Sequence, residues 1–344
     1  MITATNSPRF LIIQTAFIGD VILATALLEQ LRVAQPDAVV DVLVRKGNES
    51  LLAGHPFLNE VLVWEKKAPG DAFVKYRDLW RLLTLIRARH YDVILNLQRF
   101  GATGLLTALS KAKITVGFTK NPFSRFFTHH VDHRYEPGIH EVDRNAGLLY
   151  PLGIRPHRKK PKLYPSPDDY AVARSYQDKS YVCIAPTTVW STKQYPPERW
   201  AELIQTFPTD LIVYLLGAPT DVTVCETIRK LSGREDRVVN LAGKMNLMRS
   251  AALHEGAVMN YVNDSAALHL CSAMNAPTTA IFCSTVPEFG FGPLADKSRV
   301  VQTPEPLECK PCGVHGRARC PLGHFRCAWS IQTKDLELPP TELL

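Results

Sequence analysis

The sequence lacks the glycine-rich motifs of two large enzyme classes. It contains neither Gly-x-Gly-x-x-Gly nor Gly-Lys-Ser/Thr, which argues against a dinucleotide-dependent dehydrogenase and a P-loop NTPase. Zinc-finger spacing, an aromatic RNA-recognition motif and a dense run of Lys and Arg are missing too, so nucleic acid is not an expected partner. Low-complexity tracts are absent, and 46% hydrophobic with 21% charged residues is typical of a folded globular protein. Disordered and fibrous proteins are therefore excluded.

The sequence also has no uninterrupted hydrophobic segment of membrane-spanning length. Residues 10–28 come nearest, because they are mostly apolar and include Ala24-Thr25-Ala26, which is similar to a signal-peptide cleavage site. Asp20 lies inside this segment, however, and an acidic residue there costs about 2.5–3.5 kcal/mol on membrane-insertion scales. Gln14 adds to that cost. The sequence therefore predicts a cytoplasmic protein rather than an exported one.

The length and the charge of the chain indicate its organisation and its partners. Its 344 residues predict two domains, since single hydrophobic cores stop growing at roughly 250–300 residues. The formal net charge of +7 favours anionic partners such as nucleotides, phosphorylated sugars and anionic membrane surfaces.

Short apolar runs alternate with helical patterns in both halves of the chain. The predicted strands cover residues 10–13, 39–44, 61–64 and 91–97 in the first half and 181–185, 211–216, 258–262 and 278–282 in the second. One predicted helix ends at Leu31, one ends at Leu231 and one begins at Ser265. Four others cover residues 71–89, 101–110, 140–150 and 197–207. Such alternation predicts an α/β fold of two Rossmann-like, doubly wound parallel sheets.

A basic, proline-rich stretch without periodicity separates the two halves. It predicts an N-terminal domain over residues 1–155, a linker over residues 156–167 and a C-terminal domain over residues 168–344. Ligands of doubly wound sheets bind beyond the carboxyl ends of the strands. We therefore expect two domains that face a central cleft, with the functional residues in strand-to-helix turns.

The first such turn, residues 15–20, places the carboxylate of Asp20 where a strand is followed by a helix. The simplest interpretation is an N-terminal helix cap, a common position for Asp. The alternative is a general base, which apolar surroundings and a cleft would suit. Gly19 beside it would let a ligand approach the backbone.

Two turns of the second half carry hydroxyl, cationic and carboxylate groups. Thr187 and Thr188 follow a strand, and Lys193 comes shortly after them. Hydroxyls and a lysine can neutralise a diphosphate leaving group without a metal, although a solvated loop is an equally open alternative. Asp264 and Ser265 begin a later helix, whose amides favour anionic groups, and either residue could be the cap of that helix.

These motifs together resemble the ADP-heptose:lipopolysaccharide heptosyltransferases of glycosyltransferase family 9, which have the GT-B fold. The resemblance spans nearly the whole chain and is greatest to the type II enzymes, which add the second heptose. The motifs that carry it are residues 14–20, His140-Glu-Val-Asp-Arg-Asn145, Thr187-Thr188 with Lys193, Gly243-Lys-Met245, and Asn263-Asp-Ser265 with His269. Ala266 departs from the family pattern, where Gly is commoner, and Asp221 stands where Glu is frequent.

The resemblance implies a role for each matching residue. Asp20 would be the catalytic base, and Thr187, Thr188 and Lys193 would hold the donor phosphates. The positions that would meet the rest of the donor are Met245 at the adenine, Asp221 near the ribose, and Asp264, Ser265 and His269 at the sugar and diphosphate. Candidates to meet an anionic acceptor are the basic residues Arg99, Lys120, Arg125 and Arg144.

The implied reaction is an inverting, metal-independent transfer of heptose from an ADP-sugar to the lipopolysaccharide inner core. The ADP-sugar is a co-substrate, and no cofactor is required. The acceptor is an anionic glycolipid, so peripheral contact with the inner membrane is expected. Two alternatives stay open: a family 9 transferase with another donor or acceptor, and a non-catalytic protein on the same scaffold that binds a nucleotide-sugar or a metal.

The C-terminal segment is rich in cysteine. Cys309, Cys312, Cys320 and Cys327 lie in a loop-rich stretch, with two histidines between them. Reduced or locally paired thiols are the favoured interpretation, and a structural metal is the alternative. Three further cysteines fall in predicted core elements and are expected to behave as small buried hydrophobic residues: Cys183, Cys225 and Cys271.

Overall fold

The computed structural model describes residues 7–65, 72–157, 159–336 and 339. The chain forms two compact units. The first comprises Met1–Tyr135 and Glu141–Tyr164, and the second comprises Glu136–His140 and Pro165–Leu344.

The first unit is a six-stranded parallel sheet in the order β3-β2-β1-β4-β5-β6. Its strands are β1 (Arg9–Ile13), β2 (Val39–Arg45), β3 (Leu58–Trp64), β4 (Val93–Asn96), β5 (Ile114–Phe118) and β6 (His129–Val131). Its helices are α1 (Ile18–Ala34), α2 (Ala72–Ala88), α3 (Gly101–Leu109) and α4 (Glu141–Ala146). All five neighbouring strand pairs are parallel.

The second unit repeats this plan with the order β12-β11-β10-β7-β8-β9, again parallel throughout. Its strands are β7 (Tyr181–Ala185), β8 (Ile212–Leu215), β9 (Val238–Asn240), β10 (Met259–Asn263), β11 (Thr278–Phe282) and β12 (Ser298–Gln302). Its helices are α5 (Pro167–Arg174), α6 (Pro197–Thr206), α7 (Val222–Leu231), α8 (Leu247–Gly256), α9 (Ala266–Ala273) and α10 (Arg326–Trp329). The predicted pair of doubly wound sheets is confirmed.

The apolar segment at residues 10–28 is a buried strand followed by a buried helix. Four residues of β1, Phe10 to Ile13, are at most 1% exposed, as is typical of a parallel strand covered on both faces. Most of α1 from Val21 to Leu31 is buried as well. A helix that is apolar all round is a core helix in a protein of this kind. No helix in the described ranges is long and apolar enough to cross a membrane.

Two segments differ from the sequence prediction. The helix predicted over residues 140–150 is the short α4 followed by a 3₁₀ helix, Gly147–Leu152, which contains Pro151. Residues of the predicted linker pack on the first unit, where the Lys162 amide donates to Thr25 Oγ1 over 2.9 Å and the Tyr164 hydroxyl donates to Glu29 over 2.6 Å. The chain divides between Tyr164 and Pro165.

Candidate active site

The first unit has its topological switch point between β1 and β4. The chain proceeds from β1 towards β3 on one side and from β4 towards β6 on the other, so the two loops beyond these strands leave a crevice for a ligand. Residues 14–20 follow β1 and residues 97–99 follow β4. The Gln98 side-chain amide donates a hydrogen bond to Gln14 Oε1, which ties the two loops together. Asp20 lies in the first turn of α1, directly after the crevice loop.

Asp20 is the third residue of α1, and Phe17 is the N-cap. The Asp20 carboxylate accepts a hydrogen bond of 3.1 Å from the Phe17 amide, so it does support the helix start, although from inside the helix rather than from the cap position. Burial, and next the negative charge of Glu141, raise the pKa of Asp20 to about 6. A carboxylate with this pKa is poised to accept a proton near neutral pH.

Glu141 is a part of the site to which the sequence analysis assigned no role. It is the first residue of α4 and is buried, with its Oε2 atom 2.7 Å from Arg144 Nε and 3.7 Å from His133 Nε2. Burial alone would raise the pKa of Glu141, but the hydrogen bond with His133 and the ion pair with Arg144 lower it instead. Glu141 therefore stays ionised and keeps the pKa of Asp20 high.

Three of the four basic candidates surround the ring of Tyr135. The Arg99 guanidinium donates to the Tyr135 hydroxyl over 3.0 Å. The Arg144 guanidinium lies 4.8 Å from the ring centroid and the Lys120 ammonium 5.9 Å from it. Arg125 instead lies over the ring of Phe126, at 4.7 Å. Arg144 is already paired with Glu141, so Arg99 and Lys120 supply the positive charge around Tyr135 that would attract an anionic group.

The second unit has its switch point between β7 and β10. Thr187 and Thr188 follow β7, and Asp264 and Ser265 follow β10. Asn263 joins the two loops, since its amide nitrogen donates to the Pro186 carbonyl over 2.7 Å and its Oδ1 accepts from the Tyr195 amide over 3.0 Å. The predicted phosphate residues therefore follow adjacent central strands.

Lys193 and Asp264 form the charged centre of this edge. The Lys193 ammonium lies 2.6 Å from Asp264 Oδ2, and both side chains are largely buried. The Thr285 hydroxyl, just beyond β11, donates to the same oxygen over 2.6 Å. Asp264 is thus engaged by a cation and a hydroxyl and does not cap α9. Ser265 occupies the N-cap position, but its side chain makes no capping hydrogen bond.

Two buried polar atoms beside this ion pair have no hydrogen-bond partner within the described part of the chain. Neither Ser265 Oγ nor His269 Nδ1 has a hydrogen-bond partner among the residues that the structure describes. His269 lies one turn after Ser265 on α9, and burial, with the charges of His140 and Lys193 second, lowers the pKa of His269 to about 3. The imidazole is therefore neutral. Buried polar atoms without partners are rare and call for an explanation such as a ligand.

The remaining residues predicted to bind the ADP-sugar lie at the same edge of the sheet, but their contacts are within their own loops or the core. The Thr188 hydroxyl donates to the Trp190 carbonyl over 2.7 Å, and Thr187 is half-buried. Asp221, beyond β8, accepts from the Ala218 amide over 2.7 Å. Met245, beyond β9, packs against the hydrophobic core cluster that includes Leu241 and Tyr214. Thr188 belongs to the loop that carries Lys193, since the Trp190 carbonyl also accepts from the Lys193 amide over 2.9 Å, whereas Asp221 and Met245 follow β8 and β9.

The cysteine-rich segment contains no disulfide, since all eight cysteines of the chain are free. Cys309 Sγ lies 4.0 Å from His324 Nε2, and the Cys312 thiol donates to the Cys309 carbonyl over 3.4 Å. Within residues 7–65, 72–157, 159–336 and 339, no group of three or more His, Cys, Asp and Glu could hold a metal ion.

Two Rossmann-like units, each with its polar residues at the switch point, define a two-domain α/β protein of the GT-B fold. A solved structure of E. coli ADP-heptose lps heptosyltransferase II is similar over 95% of this chain and 96% of that one, with a TM-score of 0.77 at 20% identity. E. coli heptosyltransferase WaaC with ADP-2-deoxy-2-fluoro heptose gives a TM-score of 0.68 at 22% identity over 86% of this chain and 93% of that one.

The family is identified from the sequence comparison. The model of Glycosyltransferase family 9 (heptosyltransferase) matches residues 79–320, well over half of the chain, and the chain belongs to this family. Lipopolysaccharide heptosyltransferase 3 of Escherichia coli (strain K12) is 25% identical over 283 residues, which cover 78% of this chain and 80% of that one. The protein is therefore an enzyme of the glycosyltransferase class, and the family resemblance of the sequence motifs is confirmed.

Proposed function

We propose that this enzyme transfers heptose from ADP-L-glycero-D-manno-heptose to the lipopolysaccharide inner core. The observation that carries the proposal is the anion-binding centre of the second unit. There a lysine, two buried polar atoms without partners in the described structure, and the start of α9 share one loop cluster. A cation and helix N-terminal amides are the groups that bind a diphosphate. We infer the sugar and the acceptor from relatives that are named as lipopolysaccharide heptosyltransferases.

The chemistry that we propose is a single displacement. Asp20 takes the proton of an acceptor hydroxyl while that oxygen forms a bond to the anomeric carbon of the donor. The bond between this carbon and the diphosphate oxygen breaks on the opposite face, and ADP leaves with the electron pair. The configuration of the sugar is thereby inverted. The raised pKa of Asp20 supports this role, because a general base works best when its pKa is near the operating pH.

The second unit would stabilise the leaving group. Negative charge grows on the diphosphate as the bond breaks, and the Lys193 ammonium, the Ser265 hydroxyl and the first amides of α9 are suited to receive it. His269, which is neutral, would contribute a hydrogen bond rather than a charge. We infer that these groups together do the work that a divalent cation does elsewhere, so that transfer needs no metal.

The acceptor would be recognised by the cationic group of the first unit. Arg99 and Lys120 beside Tyr135 suit a phosphorylated, anionic sugar, and Arg144, which is paired with Glu141, packs under the same ring. We place the reaction in the cytoplasm, where nucleotide-sugars are made, with peripheral contact to the inner membrane because the acceptor is a lipid. A family 9 transferase for a different donor or acceptor is the competing proposal, since a hydroxyl-lined site does not by itself name its sugar.

A donor panel tests the proposal directly. We expect ADP-heptose and ADP to raise the midpoint of thermal unfolding, because a ligand that binds only the folded state stabilises it. Matched UDP- and GDP-sugars should produce smaller shifts. The same shifts, and the same rate of heptose transfer to a heptose-deficient lipopolysaccharide acceptor, are expected when EDTA is present. A larger shift with UDP- or GDP-sugars would exclude an ADP-sugar donor, and loss of transfer in EDTA would exclude the metal-independent mechanism.

The pH dependence of transfer should follow the ionisation of Asp20. With a pKa of about 6, the carboxylate is ionised and active above pH 7. The value of kcat/KM should fall about tenfold per pH unit below 6, since protonation removes the base. Measurement of kcat/KM between pH 5 and pH 8 checks this.

Glu141 offers a matched variant for that profile. Because its negative charge raises the pKa of Asp20, Glu141→Gln should move the inflection to a lower pH. If the inflection does not move in Glu141→Gln, the inflection does not arise from an Asp20 carboxylate whose pKa is raised by Glu141.

A further inference from the structure

The cysteine-rich segment, residues 309–327, is bound to the loop that carries Lys193. The Thr192 amide donates to the Arg317 carbonyl over 3.1 Å, and the Arg317 amide donates to Thr192 Oγ1 over 2.8 Å. The Thr192 hydroxyl donates to the Arg317 carbonyl over 3.0 Å and accepts from Ser284 Oγ, also at 3.0 Å. Thr192 is only 2% exposed. A buried hydroxyl with three partners fixes the backbone next to Lys193.

Gly316 in this segment lies directly against the Lys193 side chain. A Cβ atom added at Gly316 would lie 2.9 Å from Lys193 Cγ and 3.2 Å from Lys193 Cδ, with Thr192 Oγ1 at 3.1 Å. The φ angle of Gly316 is +74°, in the left-handed region that glycine adopts readily. A residue with a side chain at position 316 would therefore displace the Lys193 side chain.

The Lys193 side chain is thus held at both ends. Gly316 leaves no room for a Cβ atom beside Lys193 Cγ and Cδ, and the Asp264 carboxylate lies 2.6 Å from the ammonium. A lysine in solution rotates about four side-chain bonds, and fixing it on ligand binding costs entropy. A side chain that is already fixed avoids this loss when the ligand arrives.

We propose that the Gly316–Arg317 turn is a positioning element of the donor site, which holds Lys193 where it can bind a diphosphate. The proposal rests on the function assigned to Lys193 above. It gives the cysteine-rich segment a role in donor binding through its backbone. Gly316 and Arg317 are positioning residues in this role, because they act through Lys193.

The turn can be tested with Gly316→Ala and a control of equal backbone strain. Gly323 in the same segment has a φ of +72°, and a Cβ atom added there meets no atom of the described structure within 4 Å. We expect Gly316→Ala to raise the Kd for ADP by about three- to tenfold, the range for one long side chain that loses its fixed position. Gly323→Ala should leave the Kd for ADP unchanged. Both Kd values are measured by calorimetric titration.

A double variant separates positioning from general damage. In a Lys193→Ala background, Gly316→Ala should cause no further loss of ADP affinity, because the side chain that it displaces is gone. If Gly316→Ala matches Gly323→Ala, or weakens ADP binding equally with and without Lys193, the turn does not position the lysine. If Lys193→Ala itself binds ADP normally, the proposed phosphate role fails instead, and the two failures are distinguishable.

A second pair of variants covers the case in which Gly316→Ala does not fold. Thr192→Ala removes the hydroxyl that bonds the Arg317 backbone, whereas Thr192→Ser keeps it. We expect Thr192→Ser to bind ADP more tightly than Thr192→Ala. In Thr192→Ala, kcat at saturating donor should be reduced less than kcat/KM for the donor. Equal affinity of the two variants overturns the proposal.

Discussion

Asp20→Asn should lower the turnover of heptose transfer by about a hundredfold or more, which is the scale of general-base catalysis, and should leave the Kd for ADP unchanged. The substitution removes the ionisable group but keeps an oxygen that can accept the hydrogen bond from the Phe17 amide. The start of α1 is therefore preserved, and the effect is confined to proton transfer. Turnover is measured at pH 8 with saturating donor.

The control for this variant is Asp37→Asn, which changes an exposed carboxylate beyond the end of α1. It should have the activity of the unmodified enzyme. The residual activity of Asp20→Asn should also lose the inflection near pH 6. Full turnover of Asp20→Asn would remove Asp20 from the catalytic role and leave it as a helix-start residue only.

Lys193→Ala is expected to weaken ADP binding by about ten- to a hundredfold, as a hydrogen bond to a charged group contributes roughly 1.5–3 kcal/mol. The variant also removes the cation beside the buried Asp264 carboxylate, which keeps the hydrogen bond from the Thr285 hydroxyl. An uncompensated buried charge destabilises the fold. Calorimetric titration with ADP and thermal unfolding without ligand measure the two effects.

Two further variants separate these effects. Adding Asp264→Asn to Lys193→Ala should recover part of the lost thermal stability, because the unpaired charge is removed, without recovering the charge-assisted part of ADP binding. Lys179→Ala changes an exposed lysine of the same unit, just before β7 and away from the strand ends that carry the site, and should alter neither property. Unchanged ADP affinity in Lys193→Ala would contradict the phosphate assignment.

The central strands were predictable because they are buried on both faces. Strands β7 and β11 begin and end at the predicted residues, and β1 differs by one residue, since a continuous apolar run bounded by polar turns marks such a strand. Four strands were not predicted: the inner strand β5, whose apolar run is interrupted by Thr115 and Gly117, and the edge strands β9, β6 and β12. The last two show the reason for the edges. They contain His-His-Val and Ser-Arg-Val-Val-Gln, and an edge strand exposed to solvent carries no continuous apolar signal.

The candidate site was predictable only where it follows the strand ends. The loops with Asp20, Lys193 and Asp264 could be found because all strands of a parallel sheet end at the same edge. Glu141 and the Gly316–Arg317 turn reach the site through long-range contacts, such as the hydrogen bond between Thr192 and Arg317 across 125 residues of sequence. No local sequence pattern indicates a contact of that separation. The residues that raise the pKa of Asp20 and position Lys193 could therefore be identified only from the structure.

The buried β1–α1 segment has a consequence for synthesis on the ribosome. Strand β1 hydrogen-bonds to both β2 and β4, and α1 packs against α4. This apolar segment is therefore translated well before its neighbours α4, at Glu141–Ala146, and Lys162 and Tyr164, which bond to Thr25 and Glu29 of α1. Exposed apolar surface of this kind promotes aggregation of nascent chains. We expect the nascent β1–α1 segment to depend on chaperones until the residues up to Tyr164 have left the exit tunnel.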